Sequence, residues 1–194
     1  SLLVHVNGRL VPRAEAMVRK YLDSGAVVRP EVRMVYARAL LDMQRFAETS
    51  AQIDIVTSEK PDYAEAWLIK GSLEMQDNHL AAAEKSMLRF VELMQAKRAD
   101  NPEEQERVLS QAYLSLAQIA EQRKDYIEAE NWLLKITSVE DLVRAQGRRA
   151  SILARQGKVE QARELVRHTP ERTTEDSRAK LVAELGVLRE VKRW

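Results

Sequence analysis

The stretch from Ala64 to Phe90, AEAWLIKGSLEMQDNHLAAAEKSMLRF, decides the fold of this chain. Trp67 and Gly71 lie four residues apart, which places them on one helical face. A polar run then predicts a turn, and apolar or small residues recur at helical spacing at Leu80, Ala83, Met87 and Phe90. The stretch therefore predicts two helices joined by a tight turn. We expect Trp67 to fill the space between neighbouring helices and Gly71 to let the pair approach closely.

The same hairpin recurs at an interval of about 34 residues. The residue that opens each second helix is aromatic or aliphatic, at Val11, Phe46, Leu80, Tyr126, Val159 and Trp194. Four of these openings follow short polar turns, namely Gln44-Arg45, Asp77-Asn78-His79, Arg123-Lys124-Asp125 and Gln156-Gly157-Lys158. One hairpin cannot bury its own apolar face, so such hairpins stack into a solenoid. We therefore expect an all-α chain.

The repeats predict a single domain over residues 1–194, with about five hairpins and a half repeat at each end. Ser1–Val6 is interpreted as the end of a first helix. The last helix starts near Thr174, with Leu181, Leu185 and Leu188 inward. Because its apolar stripe, which includes Val182, has no following partner, we expect a fragment of a longer repeat protein. Exposed terminal helices would favour a homodimer.

One interval is 12 residues longer than the 34 that separates Phe46 from Leu80, because 46 residues separate Leu80 from Tyr126. The extra residues fall in 96–107, around the turn signal Asp100-Asn101-Pro102. One interpretation is a lengthening of the two flanking helices, with Pro102 in a first helical turn. The alternative is a protruding recognition feature.

Composition indicates a folded protein, with 45% hydrophobic and 31% charged residues. The net charge of +1 does not favour nucleic acid as a partner. However, residues 144–194 hold 13 Lys/Arg against 7 Asp/Glu. Arginines 144, 148, 149 and 155 are interpreted either as a solvated surface with ion pairs at helical spacing or as a patch that binds a partner.

No catalytic, cofactor-binding or metal-binding pattern occurs in the sequence. It has no cysteine, and its three histidines, His5, His79 and His168, share no motif. No Gly-rich phosphate loop or run of about 18 apolar residues occurs. Helical repeats that read RNA need matching polar residues at equivalent positions. Here those positions are apolar or Gly: Met34, Leu68, Leu114, Gly147 and Val182. We therefore expect neither an enzyme nor a nucleic-acid-binding protein.

The repeats resemble the tetratricopeptide repeat family over nearly the whole chain. The resemblance is carried by Pro61, Trp67, Gly71, Leu80, Ala83 and Phe90, and then by Ala117, Tyr126, Ala129 and Ile136. Lys70, Glu74 and Thr49 depart from the pattern. The resemblance implies a right-handed α-α superhelix whose concave groove, lined by the first helices, binds peptides or partner domains. The matching groove positions are Met34, Arg38, Leu41, Leu68, Ser72, Met75, Leu114, Gln118, Glu121, Ser151 and Arg155.

Two finer comparisons concern the partner. Family members that bind chaperones use a Lys/Asn/Arg clamp, but here those positions hold Met34, Arg38, Ile69, Gln111 and Ser115, so that function is not expected. The runs YLSLAQIAEQRKDY (113–126) and ASILARQGKVEQA (150–162), with the final LREVKRW, look like a family of large bacterial repeat lipoproteins. Members of that family lie at the outer membrane facing the periplasm, and at least one is an adaptor for a carboxyl-terminal processing protease.

These observations predict a non-enzymatic scaffold that binds a protein or peptide partner without a cofactor. The lipoprotein resemblance implies a periplasmic adaptor, anchored to the outer membrane in its full-length form, that holds a protease and its substrates. The alternative function is an assembly factor for a secretion or polysaccharide-export complex, and the alternative location is the cytoplasm.

Overall fold

A computed structural model gives the structure of the protein and describes residues 5–6, 9–10, 12–24, 27–97 and 100–191. Over these residues the chain forms a short two-stranded ribbon and ten α-helices. The strands are β1 (His5–Val6) and β2 (Arg9–Leu10). The helices are α1 (Pro12–Leu22), α2 (Pro30–Asp42), α3 (Phe46–Glu59), α4 (Ala64–Gln76), α5 (Leu80–Ala96), α6 (Pro102–Gln122), α7 (Tyr126–Leu133), α8 (Val139–Arg155), α9 (Val159–His168) and α10 (Thr174–Val191).

The predicted turns are confirmed, and they share one backbone geometry. Gln44, Asn78, Lys124 and Gly157 have φ between 59° and 78°, in the left-handed region. After each of them, the next N–H donates to the carbonyl five residues back, as from Arg45 to Leu40 at 2.9 Å. This Schellman arrangement satisfies carbonyls that the end of the first helix leaves free. The second helices then begin at the predicted openings Phe46, Leu80, Tyr126 and Val159.

The chain divides into two compact units, residues 1–96 and 97–194. The single-domain organisation over 1–194 stays a prediction. In the first unit, Met34, Ile53 and Ala66 form a core that joins α2, α3 and α4. Close approach of α4 and α5 depends on Gly71, because a Cβ there would lie 3.0 Å from two side-chain atoms of Met87.

In the second unit, one core cluster lies between α8, α9 and α10. Its members are Ala150, Leu153, Ala154, Ala162, Val166 and Val187. A Cβ on Gly147 of α8 would lie 3.1 Å from the Cβ of Ala183, so these two helices pack closely. Because α10 turns Ala183 and Val187 toward this core, the leucines Leu181, Leu185 and Leu188 point outward. They are 56%, 48% and 48% exposed, and the prediction that they face inward is wrong.

The long interval corresponds to extended helices, as one of the two interpretations predicts. α5 runs to Ala96 and α6 begins at Pro102, where the Asn101 side chain accepts from the Glu104 N–H at 3.2 Å and caps the helix. The extended α6 forms hydrogen bonds with the residues that follow the eight-residue α7. Glu106 accepts a hydrogen bond from the Thr137 hydroxyl. Gln111 donates to the buried Asp141 at 3.1 Å.

Two further expectations need correction. His5 and Val6 pair antiparallel with Leu10 and Arg9, so the predicted helix over Ser1–Val6 is wrong at His5–Val6; residues 1–4, like Val11 and Trp194, lie outside the described residues. The Asn-Gly pair at 7–8 is a sequence that favours a two-residue β-hairpin loop, which explains the difference. Trp67 is half-buried, because its indole Nε1 donates at the surface to the Pro61 carbonyl, at 2.9 Å.

Candidate protein-binding surfaces

In the first unit, the predicted binding residues lie on α2 and α4. Arg38 of α2 donates two parallel hydrogen bonds to Glu65 of α4, and the bond from Nε to Oε1 is 2.5 Å long. The bond to Glu65 raises the pKa of the Arg38 guanidinium. Such a bidentate pair fixes both side chains. The structure therefore brings the predicted Arg38 next to the following first helix, with Glu65 as a partner that the repeat pattern did not indicate.

Beside this pair lies a mixed apolar and polar surface. Leu41, Leu68 and Met75 are half-buried, and Ser72 is exposed. The Ser72 hydroxyl donates to the Leu68 carbonyl at 2.9 Å within α4. Accessible apolar side chains next to hydroxyl and guanidinium groups are the kind of surface that recognises a peptide by both contact and hydrogen bonding.

Met34 and Leu114 do not belong to an accessible surface. They are 0% and 4% exposed, although the sequence pattern put them in the groove with Leu68. Met34 packs against Ile53 of α3 and Ala66 of α4, because a long side chain at this position reaches the junction between successive hairpins. We therefore assign these two residues to the core and remove them from the binding surface.

In the second unit, predicted residues on α6 and α8 meet around one carboxylate. Glu121 of α6 accepts two hydrogen bonds from Arg148, at 2.8 and 3.1 Å. It also lies 3.6 Å from Arg155, whose guanidinium is 3.5 Å from Glu190 of α10. The predicted Glu121 and Arg155 are thus brought together, while Arg148 is an addition. The other predicted residues here are Gln118, which is exposed, and Ser151, which is half-buried.

The four arginines of the candidate patch do not share one surface. Arg149 pairs with Glu130 of α7 at 3.1 Å and donates to Gln146 at 2.9 Å. Arg144, Arg148 and Arg155 lie on another face of α8, because they follow one another by four and seven residues. Arg149 does not fit this four- and seven-residue spacing, so the sequence already contained the signal that it lies on a different face of α8 from the other three arginines. The ion pairs of Arg148, Arg149 and Arg155 join different helices and are not local pairs within α8.

A charged network holds α1 against the next hairpin. Arg45 donates to Glu15 at 2.8 Å and to Glu48 through two bonds of 2.6 Å, while Glu15 also accepts from Tyr36 and Arg19 at 3.1 Å. Burial opposes ionisation of Glu15, but these hydrogen bonds outweigh it and lower the pKa of Glu15. The bond from Arg45 lowers the pKa of Glu48. Repeat spacing gave no signal for this network.

Comparison with known families identifies the repeats. Models of the family described as Tetratricopeptide repeat match residues 36–102 and 110–141, which together make up about half of the chain. The chain is a tetratricopeptide repeat protein. The all-α solenoid class predicted from the sequence is confirmed by this match and by the solved structures that share the fold.

Several solved structures align with most of the chain. MamA aligns with a TM-score of 0.64 and 16% identity, over 91% of this chain and 90% of that one. A double mutant of MamA from RS-1 aligns with a TM-score of 0.60 and 12% identity, over 93% and 85%. YrrB, described as a TPR protein with an unusual peptide-binding site, has a TM-score of 0.59 and 11% identity, over 91% and 97%. At these identities the similarity concerns the fold alone. No curated protein matches the chain.

The described part of this tetratricopeptide repeat protein offers little for other classes of chemistry. Within it, no three His, Cys, Asp or Glu side chains gather as they would around a metal ion. No helix among the same residues combines the length and apolar character needed to cross a bilayer. Tetratricopeptide repeats are in general interaction modules, so the surfaces on the first helices are the principal candidates for function.

Proposed function

We propose that this protein is a non-enzymatic scaffold that binds a segment of a partner protein on the exposed side of its first helices. One observation carries the proposal. In each unit, a predicted groove residue meets a side chain of the next first helix: Arg38 meets Glu65 in one unit, and Glu121 meets Arg155 in the other. Such preformed surfaces lower the ordering cost of binding. The peptide-binding site named for YrrB, a protein of similar fold, also supports it.

Site-specific photocrosslinking in the cells that make the protein tests this function. A photoreactive amino acid would replace Ser72 or Gln118, both exposed on first helices. Matched control sites are Lys85 and Arg163, exposed on the second helices α5 and α9. We expect covalent adducts with a partner at 72 or 118 and none at the control sites. Adducts of equal yield at all four sites, or none at any of them, would contradict the proposal.

In its finer form, we propose an adaptor in the bacterial envelope, in the periplasm and anchored to the outer membrane, that holds a protease together with its substrates. This form rests on the sequence resemblance in residues 113–126 and 150–162. A reconstituted reaction tests it: adding the protein should increase the rate at which a carboxyl-terminal processing protease cleaves a cell-wall hydrolase. An unchanged rate, together with loss of secretion or polysaccharide export in a deletion strain, would favour the assembly factor.

A further inference from the structure

Helix α8 presents a stripe of hydrogen-bond donors toward the predicted binding surface. Arg144, Arg148, Ser151 and Arg155 follow one another by four, three and four residues, so they lie on one face of the helix. At 1.5 Å per residue the stripe is about 16 Å long. The acidic residues of α8, Glu140 and Asp141, lie in its first turn, and none occurs from Leu142 to Arg155, so the helix itself does not compensate Arg148 and Arg155.

Neighbouring helices compensate the stripe only in part. Glu121 is the carboxylate nearest to it, 15% exposed, and its hydrogen bonds go to Arg148. Arg155 lies 3.6 Å from Glu121 and 3.5 Å from Glu190, beyond the usual range of a good hydrogen bond. In the part of the chain that the structure describes, no side-chain hydrogen bond involves the guanidinium of Arg155 or the hydroxyl of Ser151, and Arg144 has no ion pair. The stripe therefore keeps free donors at both ends and near its middle.

We propose that this stripe binds an acidic, extended segment of the partner protein. This inference rests on the proposed function and names the chemical class of its partner. Carboxylates match guanidinium groups in charge and, through paired hydrogen bonds, in geometry. An extended chain covers about 16 Å with roughly five residues, so two carboxylates near the ends of such a segment would reach Arg144 and Arg155, with Ser151 donating between them.

Two features favour a protein over a nucleic acid as the occupant. Single-stranded nucleic acids bind surfaces that combine positive charge with aromatic side chains for stacking, and the stripe contains no aromatic residue. The carboxylates of Glu121 and Glu190 lie beside Arg155 and would repel a continuous phosphate backbone. A peptide in which carboxylates alternate with neutral residues can place a neutral residue next to Glu121 and Glu190 and so avoid this repulsion.

Fluorescence anisotropy with short labelled peptides tests the inference. One peptide alternates Glu with Gly over ten residues, and its matched control carries Gln in place of Glu. We expect the protein to bind the Glu peptide at least tenfold more tightly than the Gln peptide, and to lose most of that preference when salt is raised from about 0.05 to 0.5 M. Arg144→Gln should weaken binding about tenfold, the effect expected for one charge-assisted contact. Arg144→Glu should weaken it further.

Arg163→Gln is the matched control, because Arg163 is an exposed arginine on the second helix α9, 54% exposed, with a loose ion pair of 3.6 Å to Glu160. It should change the affinity less than about twofold. Equal affinity for the Glu and Gln peptides, no measurable binding of the Glu peptide, equal effects of the Arg144 and Arg163 substitutions, or tighter binding of a single-stranded oligonucleotide would each overturn the inference. If the peptide experiment fails in one of these ways while adducts still form at Gln118, the scaffold function stands and only the acidic partner is excluded.

Discussion

At the scale of single residues, the hairpin turns depend on a backbone conformation that most side chains disfavour. Of the four turn residues with positive φ, only Gly157 is glycine, while Gln44, Asn78 and Lys124 carry a Cβ. The cost of that conformation for a residue with a Cβ is about 1–2 kcal/mol, and it is smaller for Asn. The turns form nevertheless, because the Schellman hydrogen bonds and the packing of the two helices compensate the cost.

Substitutions at two of these turns should change stability in opposite directions. Lys124 is exposed and φ there is 62°, so Lys124→Gly should raise the free energy of unfolding by up to about 1 kcal/mol. Gly157→Ala, at a φ of 78° with open space around the Cβ position, should lower it by about 1 kcal/mol. Urea denaturation of both variants measures the changes. A decrease for Lys124→Gly would indicate that its side chain stabilises the turn.

Acidification should weaken the attachment of α1. The pKa values of Glu15 and Glu48 are lowered in the folded chain. Their contribution to stability is therefore fully present above the unfolded-state carboxyl pKa, and it is lost as the pH falls through the lower folded-state values. The free energy of unfolding, measured from neutral to acidic pH, should fall less steeply in Glu15→Gln. Glu103→Gln, at an exposed site on α6, should leave the dependence of the free energy of unfolding on pH the same as in the unmodified chain. Identical slopes for all three proteins would contradict the role of the network.

At the scale of helices, the sequence predicted the features that depend on residue spacing alone. The second helices begin at the predicted openings, and the small residues Gly71 and Ala83 lie where helices pack closely. Spacing could not predict which side of α10 packs, because both the Leu181 stripe and the Ala183–Val187 stripe have helical spacing. The close contact between Gly147 and Ala183 determines which side of α10 packs. These two residues are 36 positions apart in the sequence, so helical spacing does not reveal their contact.

The candidate site was predictable to a similar degree. Periodicity found the side of the helices on which Arg38, Ser72 and Gln118 are exposed. It could not distinguish Met34 from Leu68, because both occupy the same repeat position and only their neighbours decide burial. The ion pairs to Glu65 and Glu121 depend on side chains from different helices, so spacing within one helix does not indicate them.

The contact between α4 and α5 predicts a specific packing conflict. Gly71→Val should lower the free energy of unfolding by about 1–3 kcal/mol, because its Cβ would lie 3.0 Å from the Cγ and Cε of Met87. Met87→Ala removes those two atoms and should itself be destabilising. In the double variant the loss should be smaller than the sum of the two single losses, as for residues in contact. Additive losses, measured by urea denaturation, would mean that Met87 moves aside without cost.

At the scale of the whole molecule, α10 presents an exposed apolar stripe formed by Leu181, Val182, Leu185 and Leu188, which are 48–67% exposed. A contiguous apolar helix face of this kind favours association, so we predict reversible self-association of this chain as the concentration rises. Leu185→Arg places a charge in the middle of the stripe and should keep the chain monomeric. Sedimentation equilibrium measures the molar mass of both proteins across the same concentrations.

Ile127 provides the matched control for that measurement. It is 75% exposed on α7, but it lies outside the α10 stripe, so Ile127→Arg adds the same charge without interrupting the apolar face. If the added charge alone opposed association through repulsion, both variants would be monomeric to the same extent. A monomeric Leu185→Arg beside an associating Ile127→Arg would locate the interface on α10. A monomeric unmodified chain at all concentrations would show that the stripe does not join copies of this chain, which leaves it free to pack against another polypeptide.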